Sequence, residues 1–195
     1  MEENNKINVY LAFDISTTCI GISLFNETGN LLEINHLVLK TDSDVESDFR
    51  YLVKSNFFKD YIQKYKDYNV IDIFIEDPLL GSNNIFTAAL LLKFNGICTY
   101  ILHDEFKVLP KHITVHEVRK TMCPEFVKID KKGKETLSFP KELDKKQYIQ
   151  QKISKIFPDI EWVVDKKGKF SKYNYDISDS IAVGLAMLKK NEIIG

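Results

Sequence analysis

Two runs near the start of the chain, residues 7–15 and 19–26, are almost wholly apolar and rich in β-branched residues, with only Ser16, Thr17 and Thr18 between them. Runs of that length and composition predict strands, and so brief a connection predicts a hairpin. A turn over 26–30 leads into a third predicted strand, 31–39, completing an antiparallel meander. From 46 to 68 the period changes: Phe49, Leu52, Val53, Phe57, Tyr61, Ile62 and Tyr65 recur at helical spacing, so a long amphipathic helix follows. Residues 70–76 are nearly all apolar, the pattern of a short strand buried on both faces. Strand, helix, strand implies a crossover and therefore a parallel neighbour.

Asp77, Pro78 and Gly81 interrupt that strand, and 83–103 predicts a second helix, apolar enough at Ala88, Ala89, Leu90, Leu91 and Leu92 to lie against a sheet. A fifth strand is expected over 107–115, with Thr114 placed to cap a short helix at 117–122. Asp144 is placed to cap a helix over 145–157 that Pro158 ends, and a final helix runs from about 176 to 190. The expectation is one α/β domain over 1–195, with a central mixed five-stranded sheet of three antiparallel meander strands plus two parallel ones, flanked by helices.

Composition sharpens this in three ways. At 195 residues, 44% hydrophobic, with 13 Phe and 9 Tyr, the chain can fill a core of its own. Cys19, Cys98 and Cys123 are odd in number and far apart, which argues against a disulfide scaffold or a zinc site and for a reducing, cytoplasmic compartment. The polar, acidic N-terminus lacks a signal pattern, and no stretch reaches ~18 uninterrupted apolar residues, so neither export nor a membrane is expected.

The net charge of −1 conceals a division. Residues 1–105 hold 8 Lys and Arg against 16 Asp and Glu, net −8, whereas 106–195 hold 19 against 12, net +7. The excess lies in 107–172, with 17 basic and 9 acidic residues. Such polarity steers a polyanion to one face, although lysines also simply solvate surface loops. Within the basic half the pentapeptide DKKGK occurs twice, at 130–134 and 165–169, each after β-favouring residues and with a Gly suited to a hairpin tip. Lys131, Lys132, Lys166 and Lys167 would then sit on basic loop tips, either touching phosphate or serving as ordinary turn residues.

Four carboxylates carry the candidate chemistry. Asp14 and Glu76 end strand-like runs, and Asp176 and Asp179 are three apart at the start of the last helix, on one face of it. Singly, each has a structural reading: a strand-end acid capping the Ser/Thr turn, a paired acid at a sheet edge, or an acid favoured at a helix N-terminus. Together, at the carboxyl edge where open α/β sheets place ligands, they form an oxygen-only donor set that selects Mg²⁺ or Mn²⁺ over zinc. Two such ions about 3.5–4 Å apart would clamp an in-line displacement at phosphorus, and phosphodiester hydrolysis is the expected reaction.

The element order resembles the RNase H-like fold, and within it the motifs resemble the RuvC-type Holliday-junction resolvases. The first strand ends in Asp14, then Ser16, Thr17, Thr18 and, at the start of the next strand, Gly21; the fourth ends in Glu76. The last helix carries Asp176 and Asp179 followed by Ile181, Ala182, Val183, Leu185 and Ala186 in the family's acidic–apolar pattern. The resemblance spans nearly the whole chain. It implies a Mg²⁺-dependent endodeoxyribonuclease that resolves four-way or other branched DNA, with all four acids as metal ligands, leaving 5′-phosphate and 3′-hydroxyl ends as a homodimer. It also implies DNA-backbone roles for Arg119 and Lys120 on a short helix and for Lys145 and Lys146 on the next.

Departures from the family pattern are Ser16 where Gly is common, Ile20 where Thr is common, and Pro78, Leu79, Leu80 and Gly81 where bacterial members present an aromatic wedge. Residues at about 123–143 resemble an insertion and, with a basic loop at about 163–174, a phage or viral branch. Two other classes remain in view: an actin-like phosphotransferase using Asp14 to Thr18 as a phosphate loop, against which the length argues, and a non-catalytic module binding branched DNA.

Overall fold

The computed structural model describes residues 6–41, 44–46, 49–78 and 85–195. The meander forms as β1 (Asn8–Ile15), β2 (Cys19–Asn26) and β3 (Leu31–Val38). The crossover helix α1 (Arg50–Ile62) returns the chain to β4 (Asn69–Glu76), parallel to β1, and α2 (Ile85–Phe106) returns it to β5 (Lys111–Ile113), parallel to β4. Sheet order is β3-β2-β1-β4-β5, mixed as expected.

Strand alternation divides the core in two. Val9, Leu11, Phe13 and Ile15 point to the α1/α2 side with Ile73, Ile75, Phe58, Phe94 and Leu102. Tyr10, Ala12, Phe25, Phe74 and Ile113 point to the other side, covered by α3 (Val115–Met122), α4 (Lys145–Ile156) and α5 (Tyr173–Lys190). In α5 the run Ile177 to Leu188 is buried except at Asp179, because that helix lies across β1 and β2.

Boundaries moved where tertiary or backbone effects override periodicity. The first helix begins at Arg50 rather than 46 and tightens into a 3-10 turn over Gln63–Asp67, which keeps Tyr65 buried. The second runs on to Phe106, where Lys107 takes a left-handed conformation (φ 58°); its expected start at 83 lies outside the described residues. By length and composition α2 could cross a membrane, though Phe94, Asn95, Cys98, Ile101 and Leu102 are buried against the sheet. The fifth strand shrinks to three residues, since Pro110 lacks a donor and Thr114 leaves to cap α3. There the Thr114 hydroxyl accepts from Glu117 N–H, and the Glu117 carboxylate accepts from Thr114 N–H, a reciprocal capping box. The last helix starts at Tyr173, one turn early, because Asn174, fully buried, accepts from Val163 N–H (2.9 Å) and donates to Val163 C=O (2.7 Å).

Both DKKGK segments fold alike. Asp130 Oδ1 accepts from the N–H groups of Lys132 and Lys134, and Asp165 Oδ1 does the same for Lys167 and Lys169. Gly133 (φ 77°) and Gly168 (φ 72°) take the left-handed position each tip needs. The first tip joins β6 (Val127–Ile129) to β7 (Glu135–Leu137), a hairpin apart from the main sheet; the second lies beyond the bridge Val164–Phe170.

Candidate active site

Register places the site. Asp14 is directly opposite Gly21, and Gly21 is opposite His36. On the other flank, β1 and β4 are aligned through Phe13–Ile75, which brings Asp14 level with Glu76, itself opposite Ile113. His36, Gly21, Asp14 and Glu76 therefore form one row across four strands, all on the α5 face. Above that row, α5 offers Tyr173, Asp176 and Asp179 at three-residue intervals, a rise of about 4.5 Å each, close to the ~4.8 Å between strands. The (i, i+3) spacing thus steps along the row one strand at a time.

Contacts bear this out. The Tyr173 ring stacks on His36, with centroids 5.1 Å apart. Asp176 lies over Gly21 so closely that a methyl group there would be 1.9 Å from the Asp176 carbonyl oxygen. Asp179 shares a cavity of about 120 Å³ with Asp14, Glu76, Arg119 and Lys146, lined also by the apolar Val115 and Val118 of α3 and Ile149 of α4. A neighbouring hollow of about 390 Å³ holds Asp176, and Lys146 lines both.

All four carboxylates are partly buried. Burial, then the charges of Asp179, Glu76 and Asp176, hold Asp14 well above the usual carboxylate range. Burial and Asp179 push Glu76 up to about 7, against the opposing pull of Arg119 and Lys146. Asp176 and Asp179 are raised chiefly by burial, although the Cys19 thiol and Lys146 stabilise the charge of Asp176, and Lys146 and Arg119 that of Asp179. Lys146 Nζ is 3.3 Å from Asp179 Oδ2, and its three acidic neighbours outweigh the cost of burial and raise its own pKa.

The site is thus short of positive charge. Among the described residues no three acidic, His or Cys side chains already converge at metal-ligating distance. The donor set nevertheless fits a hard divalent cation: carboxylate oxygens only, crowded enough to resist ionisation, with one lysine inserted among them. A stability consequence follows. Between pH 4.5, the ordinary value, and about 7, folded Glu76 keeps a proton that the unfolded chain has released, so stability falls as pH rises through that window. Asp14 shifts in the same direction. Glu76 alone contributes on the order of 1–3 kcal/mol. Metal-free protein is expected to melt higher at pH 5 than at pH 7.5, with Mg²⁺ narrowing the gap; a melting temperature that rises across this range, or ignores Mg²⁺, would contradict it.

The basic candidates separate. Arg119 and Lys146 face the carboxylates, whereas Lys145 lies over the Phe139 ring (5.3 Å) and Lys120 pairs with Glu135 (3.0 Å) away from the cavity. Lys131, Lys132, Lys166 and Lys167 are exposed on their loop tips. Leu79, Leu80 and Gly81, at the wedge positions, lie outside the described residues. The sequence did not reveal His36 or Tyr173, since a strand histidine and a helix-start tyrosine carry no signal until register aligns them. Lys54, which donates to Thr17 C=O (2.6 Å) and so anchors the turn after Asp14, was equally silent.

The mixed sheet in the order β3-β2-β1-β4-β5, flanked by helices, is an RNase H-like fold. Solved structures with that fold include T. thermophilus RuvC in complex with a Holliday junction substrate (TM-score 0.61, 11% identity, 95% of each chain covered). Thermus thermophilus RuvC alone is similar too (TM-score 0.57, 11% identity, covering 95% of this chain and 97% of that one). So is Fowlpox virus resolvase in complex with Holliday junction DNA (TM-score 0.51, 15% identity, 94% and 98% covered). The chain has the RuvC-type resolvase fold over nearly its full length. No protein-family model matches the sequence, and no curated protein matches it.

Proposed function

We propose that this protein is a divalent-metal-dependent endodeoxyribonuclease that resolves four-way or related branched DNA. The observation that carries the reading is the row of Asp14 and Glu76 beneath Asp179, with Asp176 one strand along, on a fold shared with resolvases solved on Holliday junction DNA. The four carboxylates would hold Mg²⁺, or Mn²⁺ in its place, as two ions. When bound, the metal would supply charge at the scissile phosphate and a water acidic enough to attack it, leaving 5′-phosphate and 3′-hydroxyl ends.

The chain's own groups have separable tasks. Asp14 and Glu76, fixed at strand ends, set the donor positions, and Asp179 arrives on a helix packed against the same strands. Lys146 offsets the charge of Asp179 and, with a cation held by the carboxylates, would be placed to meet a phosphate oxygen. Arg119 lies at the same cavity, and Lys145, Lys120 and the two lysine tips extend a basic surface for the DNA backbone.

Paired incision needs two sites. A homodimer is supported by α2, where Ile85, Leu90, Leu92 and Tyr100 are apolar or aromatic and exposed. The test is incubation with Mg²⁺ of junction, flap, duplex and single-stranded DNA, mapping incisions on each strand, alongside the protein's mass in solution. Symmetric paired nicks confined to branched substrates, made by a dimer, are expected. Nucleotide phosphorylation with no nicking would favour a phosphotransferase, and junction binding without nicking under any divalent metal would favour a binding module.

A further inference from the structure

The 390 Å³ hollow beside the carboxylate cavity is lined in part by groups that the proposed chemistry does not use. Lys40 follows the end of β3; Lys172, Tyr173 and Tyr175 come from the start of α5; Asp176 and Lys146 form the wall shared with the carboxylate site. Tyr173 is next in the α5 series after Asp179 and Asp176, one turn out, over His36. Lys172 Nζ is 5.5 Å from the centre of the Tyr173 ring. Among the described residues neither Lys40 nor Lys172 forms an ion pair. An aromatic ring and two exposed cations thus stand together, about one strand spacing from a carboxylate of the site.

The arrangement is held from behind. Phe170 contacts both Trp162 (centroids 6.0 Å) and Tyr175 (5.9 Å), and Asn174 ties the helix start to Val163. The second DKKGK loop is therefore fastened to the same turn of α5 that carries Asp176. The base of that loop and the hollow are thus joined through the start of α5.

We propose that this hollow is a nucleotide subsite, taking the DNA residue adjacent to the scissile phosphate with its base on Tyr173 and its phosphate between Lys40 and Lys172; the proposal rests on the nuclease reading above. Aromatic rings hold bases of any sequence, because every base has a π-face. Lysines placed beside the ring fix the phosphate without reading sequence. Such a subsite favours an unstacked strand, so it would select the distorted backbone at a branch point over continuous duplex.

The test measures DNA binding in EDTA, where nothing is cut, for a four-way junction and a short single strand, and nicking with Mg²⁺ separately. Tyr173→Ala is expected to weaken both affinities by at least about fivefold and to abolish quenching of 2-aminopurine next to the mapped incision, with Tyr173→Phe restoring both. Lys40→Ala and Lys172→Ala, both at exposed positions, should each reduce the salt slope of binding by about one and serve if Tyr173→Ala melts early. Wild-type affinity and quenching in Tyr173→Ala, or a Tyr173→Phe as weak as the alanine variant, would overturn the subsite. If the wild type nicks junctions and these variants bind as it does, the subsite fails alone. If the wild type never nicks but the variants bind DNA more weakly, the nuclease reading fails and the subsite survives as a DNA contact.

Discussion

Asp14→Asn is expected to lower Mg²⁺-dependent junction cleavage on the order of 10³-fold or more while leaving junction affinity within about threefold. The separation follows from position. Asp14 lines the carboxylate cavity with Asp179 and Glu76, while most of the candidate phosphate contacts, Lys120, Lys145 and the lysines of the two loop tips, lie outside it. The same substitution removes a charge that burial and three neighbouring acids oppose, so the metal-free variant is expected to melt higher than the wild type at pH 7.5. Glu76→Gln and Asp179→Asn should lose cleavage similarly. Wild-type nicking in any of the three would remove the carboxylates from the chemistry, and equal loss of binding would show that the acids also organise the DNA surface.

Gly21→Val is expected to be more damaging than any of these to the fold. Gly21 carries no chemistry, but its missing side chain is the space into which the Asp176 backbone fits: a Cβ would be 1.9 Å from that carbonyl oxygen and 2.4 Å from its carbon. Backbone on both sides leaves nothing to rotate away, so α5 must lift from β2. Overpacking of this kind costs about 3 kcal/mol, or roughly 6–12 °C in melting temperature for a chain of this size. Lifting α5 also parts Asp176 and Asp179 from Asp14 and Glu76, so cleavage should fall with stability, and excess Mg²⁺ should not restore it. A Gly21→Val protein that melts and cuts as the wild type does would show that α5 is not seated by this contact.

Gly21 also shows where the sequence was readable. As a strand residue after a Ser/Thr turn it belonged to a recognisable pattern with Asp14, but only the register of β1 against β2 puts the two opposite each other on one face. The pattern did not say what occupied the space beside it. Likewise, Asp176 and Asp179 were evident as a same-face pair, but the helix was expected to begin at 176. Asn174 bonding to Val163, eleven residues back in sequence, adds the turn that brings Tyr173 over His36. Contacts of that range leave no periodic trace.

The basic residues were the least legible. Lys145 and Lys146 are adjacent and chemically identical, yet one lies over Phe139 and the other reaches Asp179. Arg119 and Lys120 divide in the same way between the cavity and Glu135. A charge run states that a surface is basic; only packing decides which cation enters a cleft, because consecutive helix residues point about 100° apart.

What the sequence determined by itself was the order of elements and the mixed sheet, and it singled out the four acids as candidates, since alternation, helical period and strand-end position are local properties of the chain. Tertiary structure decided their alignment. Inter-strand register put His36, Gly21, Asp14 and Glu76 in one row, and the bare Gly21 backbone let α5 descend onto it, so that a three-residue helical step matched the spacing of the strands. Register and close approach depend on partners distant in sequence, which is why the acids could be named from the chain but their arrangement, and the aromatic step beyond them, could not.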